Sequence, residues 1–141
     1  MKKVVSIILC IIILSGMALM PCMADDAAGA VQPIYNVIAD MTASLSLSSA
    51  GLATCTGSTT VISDTLSVRL SVALQKYTAG GWQNVTLWST SGIRLVGLEK
   101  YWNVSESGRY RTCVTVSVYN ANDMQLDYAI GYSPEKVYTA P

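Results

Sequence analysis

The 141-residue chain has no histidine and no phenylalanine, only four prolines, and a charged fraction of 13%. Without an imidazole, Ser-His-Asp and Cys-His catalysis, imidazole metal sites and a histidine pH switch are all excluded. Nine Lys and Arg balance nine Asp and Glu, so the composition gives no basic footprint for nucleic acid or anionic lipid. No phosphate loop, nucleophile elbow, internal repeat or low-complexity linker occurs in the sequence. The length corresponds to a single domain.

What is present begins with a leader. After Met1-Lys2-Lys3 no charge appears until Asp25, and Val4 to Leu14 is an almost unbroken apolar run. Cys22 and Ala24 are small residues at the −3 and −1 positions of a cleavage site, so residues 1–24 read as a secretory signal peptide. The competing reading is an uncleaved anchor, since the uncharged stretch nearly reaches the about 20 residues a spanning helix needs. Pro21 favours cleavage, and proline directly before Cys22 argues against lipidation. With 24 of 141 residues removed, 117 remain, carrying seven Lys and Arg against nine Asp and Glu, a net charge of −2. The expected protein is secreted, with no stable membrane insertion once the leader is gone. Residues 25–40 read as a lead-in segment and 41–141 as the folded domain.

From Leu66 to Gln75 the chain alternates strictly, with Leu66, Val68, Leu70, Val72 and Leu74 on one face. A period of two means a half-buried strand. A glycine turn at Thr78-Ala79-Gly80-Gly81 leads to a return strand, Trp82 to Trp88, in which either Val85 and Leu87 or the two tryptophans point inward. A second pair, Tyr110–Tyr119 and Met124–Tyr132, reads as a hairpin around Asn120-Ala121-Asn122-Asp123. Weaker strands are expected at 42–47, 52–56, 93–98 and 101–104, separated by turns at 48–51, 89–92 and 105–108. Seven or eight short strands predict an all-β, antiparallel β-sandwich of immunoglobulin-like type behind the signal peptide helix.

Cys10 and Cys22 belong to the leader, leaving Cys55 and Cys113 as an expected structural disulfide. A bridge over that span would stabilise by up to about 4 kcal/mol in the chain-entropy description. Two features depart from the immunoglobulin pattern. Cys113 lies on the face of Arg111 and Thr115 rather than with the valines, and Tyr110 stands three residues before it rather than two.

Trp82, Trp88 and Trp102, with eight tyrosines, are candidates for stacking a ligand such as a sugar ring, or else core filling with satisfied polar tips. Two tryptophans coplanar on one exposed surface would mark a glycan platform. Asp123 with Asp127, or Glu99 with Glu106, are the nearest carboxylate pairs, but nothing around them resembles a hydrolase motif. Asn120, Asn122, Asp123 and Asp127 could ligate Ca²⁺, yet a hairpin turn explains them equally. No metal and no cofactor are expected. Asn84-Val85-Thr86 and Asn103-Val104-Ser105 are formal glycosylation sequons.

Three stretches carry a resemblance. They are Ala53-Thr54-Cys55-Thr56-Gly57-Ser58, then Leu74-Gln75-Lys76-Tyr77 running through a glycine turn into Gly81-Trp82-Gln83-Asn84-Val85 and Trp88, then Tyr101, Val104 and Gly108 before Tyr110-Arg111. Together, over about 42–132, they resemble a family of small secreted β-rich proteins of unknown function from Gram-positive bacteria. The chain departs from that family at Arg109, where an aromatic is more usual, and after Ser133. The resemblance implies secretion and a sandwich-like fold, and brings no catalytic residue. The function expected from the sequence is therefore non-catalytic binding of a protein or glycan at the cell exterior. The alternative is a carbohydrate-binding module using exposed Trp and Tyr.

Overall fold

The structure, a computed structural model, describes residues 37–141. The leader, its cleavage site and most of the lead-in segment lie outside the described residues. Eight strands are formed: β1 Ile38–Leu47, β2 Leu52–Val61, β3 Ser67–Thr78, β4 Gly81–Ile93, β5 Leu95–Asn103, β6 Gly108–Tyr119, β7 Gln125–Tyr132 and β8 Lys136–Tyr138. They build two antiparallel sheets, ordered β1-β2-β5 and β4-β3-β6-β7, with β8 also pairing β6. The all-β, two-sheet architecture is the one the alternation predicts.

The core follows from that alternation. β3 and β6 run side by side from Ser67 opposite Tyr119 to Lys76 opposite Tyr110. In this register Val68, Leu70, Val72 and Leu74 share a layer with Val114, Val116 and Val118, all fully buried. Burying each such side chain contributes about 1.5–3 kcal/mol. Against them β2 presents Ala53, Cys55, Gly57, Thr59 and Val61, again all buried. Gly57 leaves room for the facing sheet: a Cβ there would lie 2.7 Å from Val72 Cγ2 and 2.8 Å from Val114 Cγ2.

Several elements differ from the sequence expectation. The span 89–92, whose Ser and Gly suggest a turn, continues β4, pairing Ser89, Thr90, Ser91 and Gly92 with Ser71, Leu70, Arg69 and Val68. The unbroken ladder offered by β3 outweighs local turn preference. The reversal comes at Arg94, a non-glycine residue with φ 62°, whose carbonyl accepts the Val61 N–H at 2.8 Å. That one residue carries the chain from β4, an edge of one sheet, to β5, an edge of the other. β5 is continuous where two short strands were expected, β1 begins at Ile38 rather than Thr42, and β8 had no sequence signal.

The orientation of the Trp82–Trp88 strand is settled by a bulge. Leu74 pairs with Thr86 but Gln75 pairs with Asn84, leaving Val85 as the extra residue. Residues six apart would otherwise share a face. Here Trp88 faces the core and Trp82 faces outward. At the start of β6, the Tyr110 hydroxyl donates to the Glu106 carbonyl four residues upstream, at 2.6 Å.

Candidate functional site

Cys55 and Cys113 are both free thiols, contrary to the expected bridge. Cys55 points into the core from β2, whereas Cys113 points outward from β6 in the opposing sheet. Packed sheets stand about 10 Å apart, and a disulfide needs Cα atoms within about 7 Å. Burial pushes the Cys55 thiol above its ordinary value, and the neighbouring Thr112 hydroxyl pulls it partly back. Burial also raises the Cys113 thiol, with Thr115 and Arg111 acting against it.

The three tryptophans do not form one platform. Trp88 packs half-buried against the core, and its ring meets Trp102 edge-on, with centroids 6.4 Å apart and planes at 64°. Trp102, on the edge strand β5, is 41% exposed. Trp82 belongs to the opposite surface, the outer face of the four-stranded sheet.

That outer face has a definite relief. Along its central strands β3 and β6 stand small side chains, Ser71, Ala73, Cys113, Thr115 and Ser117. On the flanking strands stand large ones, Leu87 and Ile93 of β4, and Tyr128, Ile130 and Tyr132 of β7, all exposed. The register runs Leu87–Ala73–Cys113–Tyr132 across the sheet, then Ser89–Ser71–Thr115–Ile130, then Ser91–Arg69–Ser117–Tyr128. Small residues beside the tyrosines and isoleucine of β7 make a trough parallel to the strands, open on the β4 side at Ser89 and Ser91 between Leu87 and Ile93.

Stacked cations close both ends of the trough. At one end the Arg111 guanidinium lies 3.8 Å from the Tyr132 ring centroid and 4.2 Å from that of Trp82. Arg109 lies 4.2 Å from Tyr77, whose ring meets Trp82 edge-on at 5.3 Å. Gln75 Oε1 accepts from Arg111 Nε at 2.8 Å, and Glu135 accepts from Arg109 at 3.2 Å. At the other end Arg69 lies 4.5 Å from the Tyr119 ring. Each exposed stack contributes about 0.5–1 kcal/mol, and together they hold long side chains in fixed positions. Net neutrality thus conceals an uneven distribution: Arg69, Arg109 and Arg111 share this face, while Asp40 and Glu99 belong to the outer face of the other sheet.

Two clefts flank Trp102 at the end of the sandwich where β5 passes into the 104–107 loop. One, of about 300 Å³, is lined by Leu52, Tyr101, Trp102 and Asn103. The other, of about 180 Å³, is lined by Lys76, Val85, Trp102, Asn103, Val104, Ser105, Glu106 and Tyr110. Lys76 Nζ pairs with Glu106 Oε2 at 2.5 Å, which raises the ammonium and lowers the carboxyl from their ordinary values.

The remaining candidate residues serve local structure. Asn120 Oδ1 accepts from the N–H groups of Asn122 and Met124, holding the hairpin turn. Asp127 accepts from the N–H groups of Val37 and Ile38. Glu99 accepts from the Tyr101 hydroxyl at 2.5 Å and from Thr56 at 3.3 Å, whereas Glu106 belongs to the loop and pairs with Lys76. Asn84 accepts from Gln75 at 2.9 Å. No group of three or more Cys, Asp or Glu converges among the described residues.

No family model, curated protein or solved structure matches the chain. The resemblance to the secreted family therefore rests on the quoted residues alone.

Proposed function

We propose that this chain is a secreted, non-catalytic recognition module of immunoglobulin-like type, which docks an acidic partner protein in the trough of its four-stranded sheet. The strand order supports the immunoglobulin-like reading. It corresponds to the two-sheet plan of that fold with the fourth strand paired to the third rather than the fifth. The hydroxyl of Tyr110 bonded back to the Glu106 carbonyl supports the reading too, since it resembles the tyrosine corner of such domains despite the shifted cysteine spacing. Residues 1–24 support secretion, and the first residue of the secreted chain would be Asp25.

The observation that carries the function is the trough itself. Tyr, Trp and Arg are the residue types that dominate binding energy at protein interfaces. Here they are fixed around a floor of small side chains. Arg69 and Arg111 have no carboxylate partner among the described residues, so their N–H groups remain available to carboxylates of a partner. An acidic segment lying along the trough would meet guanidinium at both ends and the apolar wall of Tyr128, Ile130 and Tyr132 between.

The test compares the secreted wild-type chain with an Arg69→Glu/Tyr128→Ala variant, both presented to proteins of the producing cell's exterior. The expected result is an acidic protein retained by the wild type, released by salt, and bound at least about tenfold more weakly by the variant when purified and titrated. Equal retention by the two chains overturns the reading.

A further inference from the structure

We infer that the Trp102 ridge is a separate binding site for a neutral, β-linked oligosaccharide. It stands apart from the trough and does not depend on the reading given for that face. Three observations converge on it. Trp102 is exposed yet fixed, because the half-buried Trp88 meets it edge-on and sets the tilt of its ring. The clefts of about 300 and 180 Å³ both border this ring and Asn103, so consecutive units of a chain can occupy the two clefts. The polar groups along the ridge hydrogen-bond in both directions and carry no net charge, since Lys76 and Glu106 neutralise one another.

The chemistry selects the ligand. A pyranose with equatorial substituents turns a patch of C–H groups to one face, and these seat against the electron-rich face of an indole. Its hydroxyls at the ring edge need partners that both donate and accept. The Asn103 amide does both, makes no side-chain hydrogen bond among the described residues, and borders both clefts. The loop beneath is already ordered by Tyr110 on the Glu106 carbonyl and by Ser107 Oγ accepting the Ala140 N–H. Little ordering cost is left for a ligand to meet.

The probes are cellohexaose and chitohexaose, with α-linked maltohexaose as the contrasting geometry, titrated into the secreted chain and read by tryptophan fluorescence and calorimetry. At least one β-linked probe binds, Trp102→Ala weakens it at least about tenfold, Asn103→Ala weakens it several-fold, and Trp82→Ala leaves it unchanged. Circular dichroism establishes that each variant is folded. Should Trp102→Ala fail to fold, saturation-transfer NMR on the wild type and on Asn103→Ala carries the test. The proposal is overturned by silence of both β-linked probes up to about 10 mM, by binding unchanged in Trp102→Ala or in Asn103→Ala, or by equal binding of maltohexaose.

Discussion

Thr112 is fully buried in β6, and its hydroxyl meets no oxygen or nitrogen partner among the described residues, only the weakly accepting sulfur of Cys55. The cost falls on the side chain alone, because its backbone N–H and C=O are both taken by Ser133. An unmet buried hydroxyl costs about 1–3 kcal/mol. Thr112→Val should therefore stabilise the fold by about 1 kcal/mol, read as a higher urea midpoint. Cys55 beside it gives a pH signature. Its folded pKa is raised, so this contribution is complete below the ordinary thiol value of 9.0 and disappears as pH climbs through the folded value. Tyr110, raised chiefly by burial, acts in the same direction near its own value of 10.0. With no histidine in the chain, the urea midpoint should be nearly flat from pH 6 to 8 and fall above pH 9, less steeply in Cys55→Ala. Thiol titration should find Cys113 reactive in the native protein and Cys55 only after denaturation.

At the scale of elements, β3 and β6 were plain in the sequence because their two faces differ in polarity at every position from Leu66 to Leu74 and from Tyr110 to Val118. β4 was not, and the reason is Val85. One inserted residue puts Trp82 and Trp88 on opposite faces, and only the pairing with β3 reveals where it is inserted. The Arg–aromatic stack was hidden for the same cause: Trp82 meets Arg111 through register across three strands, which no local pattern encodes. Trp102 was identifiable as an aromatic, but its exposure depends on lying at the edge of the smaller sheet. Deleting Val85 should remove the bulge while leaving Trp82 opposite Tyr77, so the contact with Arg111 and the near-ultraviolet tryptophan dichroism should persist; inserting a second residue beside Val85 should instead turn residues 81–84 over and lose that dichroism. Gly57→Ala tests the close packing of β2 on the facing sheet. Its methyl has no room beside Val72 and Val114, and a loss of about 1–3 kcal/mol is expected in chemical denaturation.

At the scale of the molecule, the sandwich distributes its chemistry unevenly: three arginines and the aromatics they stack on lie over the four-stranded sheet, and hydroxyls with Asp40, Glu99, Leu95 and Tyr101 over the three-stranded one. A chain neutral in sum therefore offers two unlike faces, and raising salt should weaken association at the first while leaving a neutral ligand at Trp102 untouched. The positions of β1 and β8 add a mechanical property. Ile38 pairs with Val61 at one end of the sandwich, whereas Tyr138 pairs with Gly108 and its ring lies against Gly51 at the other. Tension applied between these two points runs along the strands, at right angles to the hydrogen bonds that join β1 to β2. On the β1 side the load is shared by the whole ladder from Val61 to Ala53, whereas at the other end it falls on the short ladder that joins β8 to β6, so β8 gives way before β1.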